Sequence, residues 1–118
     1  SSSFVEFPWN LTMGEQSSIG EGAWIYCLDK ITIGDRSCVG QKCPLITGSH
    51  NYKSKNFEMI TAPIIIGNGC WLTSNVIVLM GVKVDDYSVI GVNSLVTKSI
   101  SKNSIAVGQP AKVVGERF

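Results

Sequence analysis

The sequence predicts an all-β fold in which short strands wind into a coil with three strands in each turn. Between Ile64 and Ile100 every sixth residue is aliphatic: Ile66, Leu72, Val78, Val84, Ile90 and Val96. Four residues after each of the first five comes a short side chain: Cys70, Val76, Val82, Ser88 and Ser94. A period of six fits neither an α-helix nor a flat strand, but it suits short strands joined by tight corners.

Packing in a three-sided prism explains this period. The aliphatic residue of each six points to the narrow axis, and the short residue turns inward near a corner, where a larger side chain would clash. Glycine or a small polar residue at the corner tolerates the backbone angles of the turn. Turns stack at about the 4.8 Å spacing of parallel strands, so each aliphatic residue should rest on its counterpart three periods away. Each one buried should contribute about 1.5–3 kcal/mol.

The same period covers most of residues 12–100. In the first half, the inward aliphatic positions are Met13, Ile19, Ile25 and Ile31. A two-residue slip at Thr32 then moves the frame to Ile33, Val39 and Leu45.

The two ends of the chain predict caps, because an open coil end is an unpaired strand edge. Residues 1–11 are apolar without a period, and the aromatic residues among them would close the first turn or pack on a neighbouring subunit: Phe4, Phe7 and Trp9. Residues 101–118 form the predicted C-terminal cap. There Gly108 and Pro110 indicate a turn, after which Val113 and Val114 would fold back.

Length and composition predict one domain without a nucleic-acid or membrane surface. The chain has 118 residues, of which 44% are hydrophobic and 16% charged, and its net charge is +1. It has no run of 18 apolar residues and no signal-peptide pattern, so we expect no membrane span and a cytoplasmic location. Because the chain begins at Ser1 without a methionine, the absence of a signal carries little weight.

The four cysteines argue against a zinc site, because they form no CxxC pair and the chain has one histidine. Cys43 and Cys70 fall on the short inward positions of the repeat. We interpret the cysteines as small core residues in a reducing compartment, with disulfides or a metal as the alternatives.

Residues 47–63 interrupt the period and contain His50, the single histidine. They hold polar residues that a core would not accept. A loop of this length between regular stretches is usually functional or disordered. Because both flanks are rigid coils, we expect an ordered loop that projects from the prism.

Several segments together resemble the hexapeptide-repeat acyltransferases: SHNY in the loop, ITAPIIIGNGCWL, VIGVNSLVTKSI and AVGQPAKVV. The order PWNLTMGEQSSIGEGAWIYCLDKITIGD followed by GSHNY is most similar to the colanic acid biosynthesis acetyltransferases. This resemblance covers nearly the whole chain from Pro8. It implies a left-handed parallel β-helix, a homotrimer with sites between subunits, and transfer of an acetyl group from acetyl-CoA to a hydroxyl of a small-molecule sugar acceptor. It implies no metal.

His50 is the candidate general base. A sugar hydroxyl is a poor nucleophile, so its proton must be removed as the new bond forms, and an imidazole is suited to that step near neutral pH. In the resembling enzymes the histidine of this motif has this role. A surface histidine without these motifs would be an ordinary one.

The resemblance also implies three substrate-binding residues. Trp71 precedes an inward position, so its indole should point outward, either beside the substrate or into trimer packing. Asn51 belongs to the same loop motif as His50. Asp29 lies near an acidic position of related sugar acetyltransferases, but it is equally interpretable as a corner residue.

Five residues match positions at which the resembling enzymes contact CoA: Ser74, Val92, Thr97, Lys98 and Lys112. Contacts of the first three would be made largely by backbone groups. Lys98 suits a CoA phosphate as a flexible point charge, although alone it would be a solvated lysine. The family often has arginine at the position of Lys112 and again at that of Gly115, which leaves Arg117 as an uncertain substitute.

The sequence therefore predicts an O-acetyltransferase that acts on a saccharide, such as an exopolysaccharide or its precursor, by direct transfer. An acyl-enzyme on cysteine is disfavoured, because the cysteines lie on the repeat rather than beside His50. Two alternatives stay open: an N-acetyltransferase acting on an amino sugar, and a hexapeptide-repeat scaffold without catalytic activity. A zinc-dependent relative would need three histidines at a subunit interface, which one histidine per chain cannot supply.

Overall fold

The computed structural model describes residues 3–118, which form seventeen strands and one short 3₁₀ helix, Pro8–Asn10, between the first two strands. In chain order the strands are β1 (Phe4–Glu6), β2 (Leu11–Met13), β3 (Ser18–Ile19), β4 (Trp24–Tyr26), β5 (Ile31–Ile33), β6 (Cys38–Val39), β7 (Pro44–Ile46), β8 (Gly48–His50), β9 (Met59–Thr61), β10 (Ile64–Ile66), β11 (Trp71–Leu72), β12 (Ile77–Leu79), β13 (Lys83–Val84), β14 (Val89–Ile90), β15 (Leu95–Val96), β16 (Ser104–Gly108) and β17 (Ala111–Glu116).

These strands wind into a three-sided prism of about five turns. Face A stacks β1, β4, β7, β12 and β15; face B stacks β2, β5, β10 and β13; face C stacks β3, β6, β11, β14 and β16. All pairs within a face are parallel, and β17 then pairs antiparallel with β16 at the edge of face C. Strands β8 and β9 pair only with each other, outside the prism. The predicted all-β coil with three strands per turn is confirmed.

The six-residue period marks the core, as predicted. All six aliphatic residues of the second half are fully buried, and so are the short residues near the corners. Their stacking follows the expected spacing of three periods, because Ile66 pairs with Val84 and Leu72 pairs with Ile90. Ile65, between two inward residues of β10, points away from the core and is exposed.

The first half contains the longer turn that the frame slip predicts. Ile25 pairs with Leu45, so the turn is two residues longer than three periods. The two extra residues lie in the corner after β4: four residues, 27–30, precede buried Ile31, whereas two residues, 80–81, precede buried Val82 after β12. The predicted two-residue frame slip is therefore confirmed, with the extra residues before Ile31 instead of at Thr32. Met13, predicted to point inward, is 39% exposed because β2 is the edge of face B and no further turn covers it.

Both ends of the described chain extend the sheets. β1 adds a strand to face A, with Val5 opposite Ile25, and the following residues form the 3₁₀ helix. At the other end the chain turns at Gly108–Pro110 and returns as β17, which is exposed at Val113 and Val114. Ser1 and Ser2 of the predicted N-terminal cap lie outside the described residues, and the two caps remain predictions. Across residues 3–118 we find no helix with the length and apolar character needed to cross a bilayer.

Candidate active site

The interruption of the period is an ordered arm. Its two strands, β8 and β9, pair antiparallel, with Ser49 opposite Ile60 and His50 opposite Met59. Beyond these strands the tip is closed by the N–H of Asn51, which donates to the carbonyl of Glu58 at 2.8 Å. The arm leaves the prism after β7 and returns into β10, so it projects from the corner between faces A and B.

Thr47 anchors the base of the arm from inside the prism. It is 0% exposed, although we had expected the polar residues of this segment to lie outside the core. Its Oγ1 donates to the carbonyl of Tyr26 at 2.6 Å and accepts the N–H of Asp29 at 2.9 Å, so the buried hydroxyl is fully bonded. The backbone repeats the link, because Thr47 N–H also donates to Tyr26.

The sequence carried a weak signal for this buried threonine. Thr47 is two residues after inward Leu45, just as buried Cys27 is two residues after inward Ile25. The alternation of the strand thus continues one step past the strand end. Because Thr47 is polar, the hydrophobic pattern of the sequence did not mark it as an inward residue.

His50 lies at the end of β8, exposed, and contacts Phe57 across the tip. Its Nδ1 is 3.0 Å from the carbonyl oxygen of Phe57, and the two rings stack with centroids 4.3 Å apart and planes 10° from parallel. Because a carbonyl oxygen can only accept, this contact requires the proton on Nδ1. The neutral ring then has its lone pair on Nε2, where it can accept a proton from another molecule.

The other two substrate-binding candidates of this region make local bonds. The Asn51 side chain accepts the N–H of Lys53 at 3.2 Å, which stabilises the tip next to His50. Asp29 Oδ1 accepts the N–H of Lys30 at 2.7 Å, as a corner residue does, while its own N–H is bound by Thr47. The geometry therefore brings Asp29 to the base of the arm and Asn51 to its tip.

Trp71 lies on face C, in register with Cys38 and Val89 on the two neighbouring turns. It is 50% exposed, as expected for the residue before inward Leu72. The corner from which the arm departs is opposite face C in a three-sided prism. Within one chain, Trp71 and His50 are therefore on different sides of the molecule.

The five CoA-binding candidates fall in three places. Ser74 and Val92 share the corner between faces C and A on consecutive turns, where the N–H of Asn93 donates to the carbonyl of Ser74. Thr97 and Lys98 follow β15 at the corner between faces A and B, one turn beyond Leu79 and Met80, by the register of β12 with β15. Lys112 is on β17, opposite Val107.

Arg117, the possible substitute for the arginines of the family, makes contacts within the chain. Its Nη1 donates to the carbonyl of Gly69 at 2.6 Å, and its guanidinium lies 4.8 Å from the ring centroid of Phe118. These contacts bind Arg117 to the corner between faces B and C. The C-terminal end of the chain is thereby fastened to the prism.

A cavity of about 300 Å³ opens at the base of the arm. It is lined by Ile46, Gly48, Ser49, Leu79 and Met80. Two of these residues immediately precede His50, and two lie one turn before Thr97 and Lys98. The corner between faces A and B thus has an apolar groove at the base of the arm, His50 farther out on the arm, and Lys98 one turn beyond Met80.

Comparison with known proteins gives the family. No protein-family model matches the sequence. The chain is 42% identical over 113 residues to the Putative colanic acid biosynthesis acetyltransferase WcaF of Escherichia coli, covering 96% of this chain and 62% of that protein. It also superposes on a galactoside acetyltransferase in complex with coenzyme A, with a TM-score of 0.93 and 33% identity, covering 98% of this chain and 60% of the other.

This chain belongs to the hexapeptide-repeat acetyltransferases. A hexapeptide-repeat acetyltransferase of Vibrio cholerae, complexed with acetyl-CoA, matches with a TM-score of 0.93 and 27% identity over 98% of this chain and 65% of its own. The predicted left-handed parallel β-helix and the predicted family are thereby confirmed. The chain spans 62% of the length of WcaF, so the relatives contain further residues that have no counterpart here.

The buried cysteines of this chain are poor nucleophiles. Burial raises the pKa of Cys27 to about 11, and it raises the pKa of Cys43 and Cys70 above that of an ordinary thiol. Since the thiolate is the reactive form, these protonated side chains are suited to packing. Among residues 3–118, no three His, Cys, Asp or Glu side chains form a group that could hold a metal ion.

Proposed function

We propose that this chain is the β-helical part of an O-acetyltransferase that moves an acetyl group from acetyl-CoA to a hydroxyl of a saccharide. The observation that carries the proposal is the imidazole of His50, which is held through Nδ1 and leaves Nε2 outside that contact, on the arm whose base lines the groove. The names of the relatives support both substrates, because they include a galactoside acetyltransferase with coenzyme A and an acetyltransferase with acetyl-CoA.

The reaction is a direct transfer. The acceptor oxygen attacks the thioester carbonyl carbon while Nε2 of His50 takes the hydroxyl proton. The tetrahedral intermediate carries its negative charge on the former carbonyl oxygen, which backbone N–H groups would stabilise. When the intermediate collapses, the C–S bond breaks, the acetyl ester is released, and CoA leaves as a thiol after receiving the proton from the imidazolium.

We propose a homotrimer with the site between two subunits. In one chain the arm projects from the corner between faces A and B, whereas Trp71 is on the opposite face and Ser74 is on a different corner. A neighbouring subunit related by a threefold axis could bring its face C and the adjoining corner against the arm. Such packing would unite His50, Thr97 and Lys98 of one chain with the Trp71 and Ser74 sides of the next.

The remaining roles follow from position and charge. Lys98 and Lys112 are exposed cations that would bind the phosphates of CoA, and Val92 is an exposed residue of the same corner as Ser74. Asp29 and Asn51, at the base and tip of the arm, would contact the acceptor. The free cysteines of the described chain fit a reducing compartment, where acetyl-CoA is also available, so we propose a cytoplasmic enzyme.

The test is release of CoA thiol from acetyl-CoA across a panel of sugars that includes amino sugars. His50→Ala should lower kcat by about 10²–10⁴-fold, the usual contribution of a general base. Lys55→Ala, an exposed change on the same arm tip, is the matched control and should leave the rate unchanged. Near full activity of His50→Ala would refute the base assignment.

The acceptor panel distinguishes the other functions. Turnover confined to amino sugars would replace the O-acetyltransferase by an N-acetyltransferase. An intact trimer that neither binds acetyl-CoA nor releases thiol with any acceptor would be a scaffold.

A further inference from the structure

Phe57 contacts the imidazole of His50 in two different ways. Its carbonyl oxygen accepts a hydrogen bond from Nδ1 at 3.0 Å, and its phenyl ring stacks on the imidazole at 4.3 Å between centroids. The hydrogen bond fixes the direction of one ring edge, and the stack fixes the ring plane. Together these two contacts define both side-chain torsions of an exposed histidine.

The tip of the arm holds Phe57 in the conformation that these contacts need. Its φ angle is 48°, in the left-handed region that a bulky residue rarely adopts. Its N–H donates to the carbonyl of Ser54 at 3.0 Å, and Ser54 N–H donates to the carbonyl of Asn51 at 3.1 Å. Because these residues lie between His50 and Phe57, the bonds of the tip set the spacing of the two rings.

Burial in the core does not account for the phenyl ring. Phe57 is 56% exposed and lies outside the buried core cluster, so the hydrophobic effect gives it little stabilisation. Its ring contact in the structure is the one with His50. An aromatic ring stacked on an imidazole restrains the tilt of the imidazole. The tip of the arm places the ring of Phe57 where it can restrain His50 in this way.

We propose that Phe57 is the positioning residue of His50: its carbonyl selects the Nδ1–H tautomer, and its ring holds the imidazole plane with Nε2 directed away from that carbonyl. The inference rests on the proposed function, because orientation of Nε2 matters for catalysis only when His50 takes the proton. A general base must lie within hydrogen-bond reach of that proton. A displacement of about 1 Å can cost about 10²-fold in rate.

Three variants of Phe57 test the role of the ring while keeping the backbone carbonyl. Phe57→Ala and Phe57→Leu remove the aromatic plane, and Phe57→Tyr retains it. We expect kcat to fall about 10-fold in the first two and to stay within about 2-fold of wild type in the third, with KM nearly unchanged for both substrates. Thermal melting followed by circular dichroism checks that each variant is folded.

Two kinetic results would overturn the inference. One is a kcat of Phe57→Ala and Phe57→Leu equal to that of the wild type. The other is a change confined to the KM of the acceptor, because the ring would then contact substrate instead of orienting His50.

Nitrogen NMR gives a readout that does not depend on turnover. His50 is the one histidine in the sequence, so a ¹⁵N-labelled protein gives a single pair of imidazole nitrogen signals. We expect the neutral wild-type ring to show the Nδ1–H tautomer. In Phe57→Ala the imidazole is no longer held by the stacked ring and can rotate away from the carbonyl of residue 57, so we expect a shift toward the mixture of tautomers of an unrestrained histidine side chain. A wild-type ring protonated on Nε2, or a spectrum of Phe57→Ala identical to that of the wild type, would refute the positioning role.

His50→Ala separates the failure of this inference from the failure of the proposed function. Full activity of His50→Ala removes the general base and, with it, the role of Phe57. Loss of activity in His50→Ala, together with wild-type kcat and spectrum in Phe57→Ala, removes only the role of Phe57.

Discussion

Replacing Thr47 by valine should loosen the base of the arm and destabilise the prism. Valine has nearly the same shape as threonine, so the change removes two hydrogen bonds without opening a cavity. The carbonyl of Tyr26 keeps a bond from the N–H of residue 47, at 3.2 Å, but the N–H of Asp29 loses its partner. An unsatisfied donor costs about 1–3 kcal/mol when it is buried. Asp29 is only partly buried, so we expect about 1 kcal/mol for its N–H, and the lost bond to Tyr26 adds about 0.5–1.5 kcal/mol.

We therefore expect Thr47→Val to lower the free energy of unfolding by about 1.5–2.5 kcal/mol, measured by urea unfolding at one protein concentration. Thr47→Ser is the matched control. It keeps the hydroxyl and loses one methyl group, so it should cost only about 1 kcal/mol. If Thr47→Val unfolds at the same urea concentration as the wild type, or costs no more than Thr47→Ser, the hydroxyl does not anchor the arm.

Two further predictions concern the prism. Gly40→Ala would drive a Cβ into the carbonyl oxygens of Thr73 and Leu72, so we expect a loss of about 1–3 kcal/mol in urea unfolding, whereas Gly115→Ala meets nothing within 4 Å and should change stability by less than about 0.5 kcal/mol; equal effects would contradict this packing. Because burial raises the pKa of Cys27 from 9.0 to about 11, the unfolded state loses its thiol proton first, and the free energy of unfolding should fall as the pH rises from 9 to 11. Cys27→Ala should make this decline shallower in urea unfolding at several pH values, and parallel declines would exclude the thiol as a cause.

The fold of the second half could be predicted from sequence because its contacts are periodic. Ile66 rests on Val84 and Leu72 rests on Ile90, so residues three periods apart in the sequence are neighbours on consecutive turns. The packing partner of each inward residue can therefore be predicted from its position in the sequence. A regular prism is a case in which local pattern and long-range packing carry the same information.

The first half was ambiguous for a definite reason. Ile31 continues the six-residue frame of Ile25, whereas Ile33 begins the frame of Val39 and Leu45, so the sequence fits two frames at this point. Only the neighbouring turns decide between them: β10 presents Ile64 and Ile66 opposite the same two residues. Stacking on both positions at once requires that both point inward.

The candidate site was predictable in its residue types and less so in its supports. His50 was identified because it is a single histidine in a break of the period. Phe57 was missed because its contact with His50 depends on the pairing of β8 with β9 and on a left-handed backbone angle, neither of which the letters of the loop specify. Thr47 was missed because a buried hydroxyl is recognisable only once its partners, Tyr26 and Asp29, are in place.

The arm carries a side chain to a position that the regular prism does not provide. Side chains on the faces point outward from flat walls, and side chains at the axis are fully packed, so neither position gives a base that can reach a substrate from the side. A catalytic group must be carried beyond the wall, where hydrophobic packing no longer holds it. The structure provides two other restraints: a buried threonine at the base of the arm, and a carbonyl with a stacked ring at its tip. Orientation of the proposed base therefore depends on polar and aromatic contacts outside the repeat, and it should be lost in variants that leave the core of the prism intact.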